Sequence, residues 1–432
     1  MNILGMLYNN GYEAYLVGGC VRNYLMGLSP NDYDITTNAA PDEIKRVFSD
    51  YKTIDTGIQH GTVTVIVNGS PVEITTYRTE GDYSDNRRPD SVTFTKNLEQ
   101  DLKRRDFTVN AICYSPNTGF VDIFGGVDDL KNNILKTVGN PDARFNEDAL
   151  RILRALRFAS RYGFEIDAEC KKSIIKNAHL LNNIAVERIS SELTEILCGD
   201  KIFTILMDYF DIFKEIIPEI APMYRFDQRN KYHKYDLWEH TCHVIENSPK
   251  EKHLRLAALL HDIGKPSVFS LDENGAGHFY GHAHRSYEMS CDILNRLRLD
   301  NKTKDAAVTL VRYHDSDLFN DKAHLKRMMN KLGTDLFFDL LELKRADTLS
   351  QTDDVLYRLD DLCNIEKTAK AVISENECFS LKDLKVNGND IIKLGFKGRE
   401  VGEALDNLLN DVISGKLKND KDVLIDSIKK SL

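Results

Sequence analysis

Two hydrophobic rhythms divide this chain. In its first part the apolar positions come in short continuous or alternating runs: Tyr15–Val17, Tyr33–Thr36, Thr62–Val67, Val72–Tyr77, Val92–Phe94 and Ala111–Tyr114. Runs this short, rich in β-branched and aromatic residues, predict strands, and amphipathic helical stretches separate some of them. From about Asn146 onward the apolar period is that of a helix almost everywhere. Pro218 and Pro222 punctuate a boundary, residues 235–350 form a histidine-rich helical block, and a polar segment at Val386–Gly398 opens a helical tail rich in Lys and Asp. The pattern predicts an α+β fold: a mixed-sheet head over 1–137, then all-α segments over 138–225, 226–355 and 356–432. There is no internal repeat and no low-complexity tract.

Composition narrows the class. At 432 residues, 42% hydrophobic and 29% charged, the chain has the make-up of a soluble multidomain protein. No apolar run is long enough to span a bilayer, so no membrane association is expected. The N-terminus lacks a basic segment and a cleavage-site pattern. Eight scattered cysteines without a Cys-x-x-Cys pair suit free thiols in a reducing cytoplasm. The net charge of −10 argues weakly against nucleic-acid binding. Arginines concentrated at 87–88, 104–105 and 151–161 nevertheless allow a local basic channel on an acidic protein.

The most informative stretch is Leu16-Val17-Gly18-Gly19-Cys20-Val21-Arg22, followed by Asp32-Tyr33-Asp34. Two carboxylates two residues apart on a strand face the same way, an arrangement that holds hard divalent cations. The Gly18-Gly19 turn lets backbone approach a phosphate where side chains would collide. Triphosphate chemistry assisted by two metals follows from that pairing. Glu73, in an alternating strand, would complete a carboxylate triad if its strand neighbours that of Asp34; otherwise it is a polar residue on a wet face.

Arg104-Arg105-Asp106, with Asn110 close behind, suits contacts to a triphosphate and a ribose hydroxyl. Downstream, Arg151, Arg154, Arg157 and Arg161 share one face of a predicted helix, and Asp148 lies one turn ahead of Arg151. Cytosine and adenine each present an amino donor beside a ring-nitrogen acceptor. A carboxylate and a guanidinium side by side would accept from the first and donate to the second. Guanine and uracil present the opposite order and would leave buried groups unpaired. A pair of this kind selects C and A together without a template.

The ordered set Gly-Gly-x-Val-Arg, Asp-x-Asp, Arg-Arg-Asp-Phe-Thr-Val-Asn-Ala, Asp122-x-Phe-Gly-Gly-x-x-Asp129 and Glu-Asp-x-x-Arg resembles the class II tRNA nucleotidyltransferases, the bacterial and eukaryotic CCA-adding enzymes and their poly(A) polymerase relatives. The resemblance covers the first 170 residues, and Gly395-Phe-Lys-Gly, Gly402-x-x-Leu405 and Gly415-Lys-Leu-Lys resemble the tRNA-contacting end of Gram-positive members. It implies that Asp32 and Asp34 are catalytic and hold Mg²⁺. It implies that Gly19, Arg22, Arg104, Arg105, Asp106, Asn110, Arg154 and Arg157 bind nucleotide, and that Asp148 with Arg151 reads the base. CTP, ATP and tRNA are the implied partners, and no obligatory protein partner is indicated. Residues 1–137 would be the transferase head, 138–225 a base-selecting neck and 356–432 a tRNA-binding tail.

Asn23 departs from the family, which has Asp there; Asn keeps hydrogen bonding but loses a charge able to hold Arg22. Thr56–Val63 is similar to CCA-adding members, whereas poly(A) polymerases carry a Gly-Arg-Arg-Phe-Arg-like run there. Relatives that add only the two cytidines lack a flexible loop after the first motif, and Glu80–Asp90 supplies one here. Addition of C, C and A is the implied activity, with adenosine-only addition or polyadenylation as alternatives.

A second constellation lies in the helical block. His261-Asp262 follows an apolar helical stretch, His240 precedes it and Asp347 follows, an order that resembles the HD phosphohydrolase domain over 226–355. His282 and His314 fall where two-metal members place extra ligands. Imidazole with carboxylate favours Mn, Fe, Ni or Zn. Hydrolysis of an RNA or nucleotide phosphate ester would be the corresponding activity.

Overall fold

The computed structural model describes residues 3–30, 32–81 and 91–431. Most of the Glu80–Asp90 segment, with Arg87 and Arg88, lies outside the described residues. Contacts divide the chain into two units, Met1–Pro218 and Glu219–Leu432.

The first unit is built on a seven-stranded sheet whose strands are β1 (Ala14–Val17), β2 (Asp34–Thr37), β3 (Lys52–Ile54), β4 (Thr62–Val67), β5 (Ser70–Thr76), β6 (Cys113–Ser115) and β7 (Gly119–Val121). Their spatial order is β3-β4-β5-β2-β1-β6-β7, antiparallel except for the parallel pair β2–β5. The alternation of β4 explains its place: Val63, Val65 and Val67 are buried while the threonines and Ile66 between them are only partly so. The valines pack with Ile35, Ile74, Ile44, Phe48 and Leu7 into the head core. Arg78–Glu80 and Val92–Phe94 form a separate two-stranded ribbon.

The register sets the chemistry. Val17 on β1 is opposite Asp34 on β2, and Asp34 is opposite Glu73 on β5. Glu73 therefore does neighbour the Asp34 strand. The strand begins at Asp34, so Asp32 stands just ahead of it rather than on it. The helices of this unit that carry site residues are α1 (Gly19–Leu25), α2 (Leu98–Lys103), α3 (Pro141–Glu147), α4 (Leu150–Tyr162) and α5 (Val186–Leu197). Between α3 and α4 the backbone of Asp148 is extended, so Asp148 and Arg151 do not share one continuous helix as their spacing suggests.

The second unit is helical apart from a short ribbon, Ser270–Leu271 with Gly277–His278. Its site-bearing helices are α6 (Leu237–Asn247), α7 (Lys252–Leu260), α8 (His282–Arg296), α9 (Asn301–Tyr313) and α10 (Thr334–Leu349). Helix α7 is buried from Leu254 through Leu260, which places His261 and Asp262 at its end inside the protein. A separate apolar cluster, including Leu384, Ile391, Leu408, Val412 and Leu424, holds the C-terminal helices. No helix among the described residues is long and apolar enough to cross a membrane.

Candidate active site and metal centre

A cavity of about 390 Å³ in the first unit gathers Gly18, Gly19, Arg22 and Asn23 with Asp32, Asp34, Arg105, Asp106, Asn110, Arg154, Arg157 and Arg161. Carboxylates and guanidinium groups thus share one polar pocket. Gly18 joins β1 to α1 at φ +78°, and a Cβ there would sit 3.4 Å from Arg105 Nη1 and 3.8 Å from Asp34 Oδ2. Those would be ordinary contacts, so it is the positive φ that calls for glycine at this corner.

Burial first, and then the charges of Asp32 and Glu73, push the Asp34 carboxyl up to about 6, with Arg105 opposing. Three acidic groups crowded in this way fit a divalent cation, whose charge would relieve their repulsion.

Asp106 is an organiser of the pocket. Its Oδ2 accepts from Arg154 Nη2 at 2.6 Å and Nε at 2.9 Å, and its Oδ1 accepts from Asn110 Nδ2 at 3.0 Å. Burial opposes ionisation, but Arg154 and the Asn110 hydrogen bond hold Asp106 well below the ordinary carboxylate range. Asn110 Oδ1 in turn accepts from Arg22 Nη1 at 2.5 Å. The Arg22 guanidinium lies 4.9 Å from the Phe158 ring centroid and 5.0 Å from that of Tyr162. Asn23 Oδ1 accepts from it as well, at 2.8 and 3.2 Å. Arg157 pairs with the buried Glu192 at 3.2 Å.

Three expected residues stand elsewhere. Arg104 does not line this cavity: its guanidinium is taken by Asp101 at 2.8 Å and Glu80 at 3.3 Å. Asp101 is fully buried, and a cation one turn away compensates its charge. Asp148 and Arg151 do not face each other. Arg188 of α5 donates to Asp148 at 3.1 Å, while Arg151 is buried against Glu147 at 2.6 Å and the Arg104 carbonyl at 3.0 Å. The residues missed from sequence are thus Asp101, Phe158, Tyr162, Glu147, Arg188 and Glu192. Phe158 and Tyr162, four apart beside the arginines, carried a legible signal; Arg188 and Glu192 carried none.

The second unit brings together every histidine and aspartate expected there. His240, His261 and Asp347 form one group of converging ligand atoms, and Asp262, His282 and His314 form another. His240 Nε2 is 3.1 Å from Asp347 Oδ1, and His282 Nε2 is 3.1 Å from His314 Nε2. All four imidazoles place Nδ1 against backbone carbonyls: Ser350, Ala258, Phe279 and Val311, at 3.3, 2.8, 3.0 and 2.7 Å. With Nδ1–H donating to those carbonyls, each Nε2 would present its lone pair inward, the tautomer a metal ligand requires. Nε2 of His240 and of His261 is buried without a hydrogen-bond partner. The donor set fits a borderline transition-metal ion. Lys265, 2.6 Å from Asp262 Oδ2, and Arg358 line the adjoining cavity of about 350 Å³.

Comparison with known proteins gives one consistent picture. Residues 14–136 match the family described as "Poly A polymerase head domain". Residues 163–224 match "Probable RNA and SrmB- binding site of polymerase A", and 283–428 match "tRNA nucleotidyltransferase domain 2 putative". The CCA-adding enzyme of Ligilactobacillus salivarius is 33% identical over 100% of this chain and 95% of its own length. That of Geobacillus thermodenitrificans is 51% identical over 46% of this chain and 49% of its own. Among solved structures, the Bacillus stearothermophilus CCA-adding enzyme in complex with CTP superposes with a TM-score of 0.77 at 28% identity, covering 100% of this chain and 96% of that one.

Proposed function

The chain belongs to the CCA-adding enzyme family, and on that premise we propose that it adds C, C and A to the 3′ end of tRNA from CTP and ATP. The observation that carries this reading is the single pocket holding Asp32 and Asp34 on one side and Arg105, Arg154 and Arg157 on the other. Asp32 and Asp34, with Glu73 beside them, would hold divalent cations, magnesium in our reading. Such ions supply charge neutralisation and a lowered pKa for the attacking 3′-hydroxyl.

The chain's own residues do the remaining work. Gly18 and Gly19 admit a phosphate close to backbone, and Arg105, Arg154 and Arg157 neutralise the triphosphate. Asp106 and Asn110 hold Arg154 and Arg22 in place for it. Asp148 and Arg151 select the base, which requires a nucleotide to draw Asp148 away from Arg188. Residues 1–137 serve as head, 138–225 as neck and 356–432 as a tail that grips tRNA through phosphate and shape contacts. The eight cysteines, all unpaired, suit work in the cytoplasm.

The test is incorporation on a tRNA ending just before its CCA, with CTP alone, ATP alone, or both. Stopping after two additions with CTP and completing the third with ATP supports the proposal. Long tails from ATP alone would make it a poly(A) polymerase, and activity confined to tRNA already ending in CC would make it an adenosine-adding enzyme.

The four inward Nε2 atoms favour a second activity within 226–355. Here His240, His261, Asp262 and Asp347, with His282 and His314, would hold one or two transition-metal ions, able to activate water against a phosphate ester. Lys265 and Arg358 would bind the ester's anionic oxygens. Asp262→Ala should abolish this hydrolysis and leave nucleotide incorporation intact, and Asp32→Ala should do the reverse.

A further inference from the structure

Helix α1 is a partition. Gly19, Arg22 and Asn23 line the triphosphate pocket, whereas Cys20, Val21 and Tyr24 line a second cavity of about 370 Å³ on the other side. Half of that second lining is aromatic: Tyr24, Tyr33, Tyr114 and Phe120. Among the described residues, no charged one lines it. Tyr24, Tyr33 and Phe120 are 66%, 47% and 45% exposed, although rings of this size are ordinarily covered. The rings of Tyr114 and Phe120 lie 4.9 Å apart, and Tyr24 stacks on Phe120 at 6.4 Å and 25°.

The position of Tyr33 ties this cleft to the chemistry. Asp32 and Asp34 line the triphosphate pocket, and the residue between them lines the aromatic cleft. Neighbours in the chain thus open on different cavities. Consecutive Cα atoms are about 3.8 Å apart, so Tyr33 is tethered directly to both carboxylate-bearing residues.

We propose that this cleft is a stacking platform for the unpaired bases of the RNA strand whose 3′-hydroxyl is presented to Asp32 and Asp34. The inference rests on the transferase reading and extends it from the nucleotide to the acceptor. Aromatic rings with phenolic edges suit flat, polar-rimmed bases, and stacking tolerates any base. An acceptor that lengthens by one base at each step needs a grip of that kind.

The probe is a hairpin RNA whose unpaired 3′ end carries 2-aminopurine, titrated into the full chain without nucleotide. Binding should quench the fluorophore. The doubly substituted Tyr24→Ala, Phe120→Ala protein, altered at exposed rings, should lose the quenching and bind the RNA about five- to tenfold more weakly. Its KM for CTP should stay unchanged, and Tyr24→Phe should behave as the native protein. Equal quenching and affinity in the double variant would overturn the proposal. So would a dimer of the native chain that the double variant fails to form, since the cleft would then seat a second copy. Quenching lost in the double variant while the native chain incorporates no nucleotide would support the platform and refute the transferase reading.

Discussion

Asn23 Oδ1 accepts from both Nε and Nη2 of Arg22, at 3.2 and 2.8 Å. A neutral amide therefore orients the guanidinium. Asn23→Ala should raise KM for CTP and ATP about tenfold, the cost of losing hydrogen bonds to a charged group. Asn23→Asp should leave KM within about twofold, because geometry is retained and the added charge faces a partner already held by Asn110. Steady-state kinetics with either nucleotide checks both.

Asp34 makes the head sensitive to pH. Folding raises its pKa from 3.8 to about 6 through burial and the charges of Asp32 and Glu73. The folded state then binds the proton more tightly than the unfolded state, so this group's contribution to stability falls as pH rises through that window. Asp34→Asn should raise Tm by a few degrees at pH 7 and by almost nothing at pH 4. Added Mg²⁺ should stabilise the native protein more at pH 7 than at pH 5, and the variant little at either.

Asp148 is expected to govern which base is accepted. Asp148→Ala should lower the kcat/KM ratio of CTP over UTP by about ten- to a hundredfold, as removal of a discriminating hydrogen-bond partner does. Arg188→Ala removes the group now paired with Asp148 and should change that ratio less, while lowering KM for CTP. Nucleotide competition assays separate the two.

His282 and His314 are expected to act as a pair. Substituting either with Ala should abolish the stabilisation by the metal of the Asp262 group, read as a shift in Tm on titrating Mn²⁺, Ni²⁺ or Zn²⁺. The group of His240, His261 and Asp347 should retain its own response. Incorporation of CMP and AMP should be untouched.

Much of this was written in the residues themselves. The alternation of Thr62–Val67 spelled out its strand, and the residue types of Asp32, Asp34, His261 and Asp262 stood out against their apolar flanks. Lys52–Ile54 and Gly119–Val121 did not, because strands of three residues carry too little periodicity to register. The pairing of Arg104 with buried Asp101 on the same helix turn was not legible, because a basic doublet there could serve either structure or substrate. The break between α3 and α4 at Asp148 was not legible either, because a spacing argument assumes a continuous helix. The carbonyls that set the histidine tautomers are backbone atoms, which no residue pattern reveals.

The parallel pairing of β2 with β5 has a consequence for how the head is made. Asp34 and Glu73 are opposite each other in the sheet but about forty residues apart in the chain, and closing so long a loop is slow compared with forming a hairpin. β4 and β5 are joined by a tight turn and can zip early; β2 must then dock beside β5. The acidic cluster is thus assembled by a non-local strand pairing rather than by a hairpin. A nascent or partly folded head keeps Glu73 apart from Asp32 and Asp34, and the crowding of the three carboxylates becomes a sign that β2 has docked on β5.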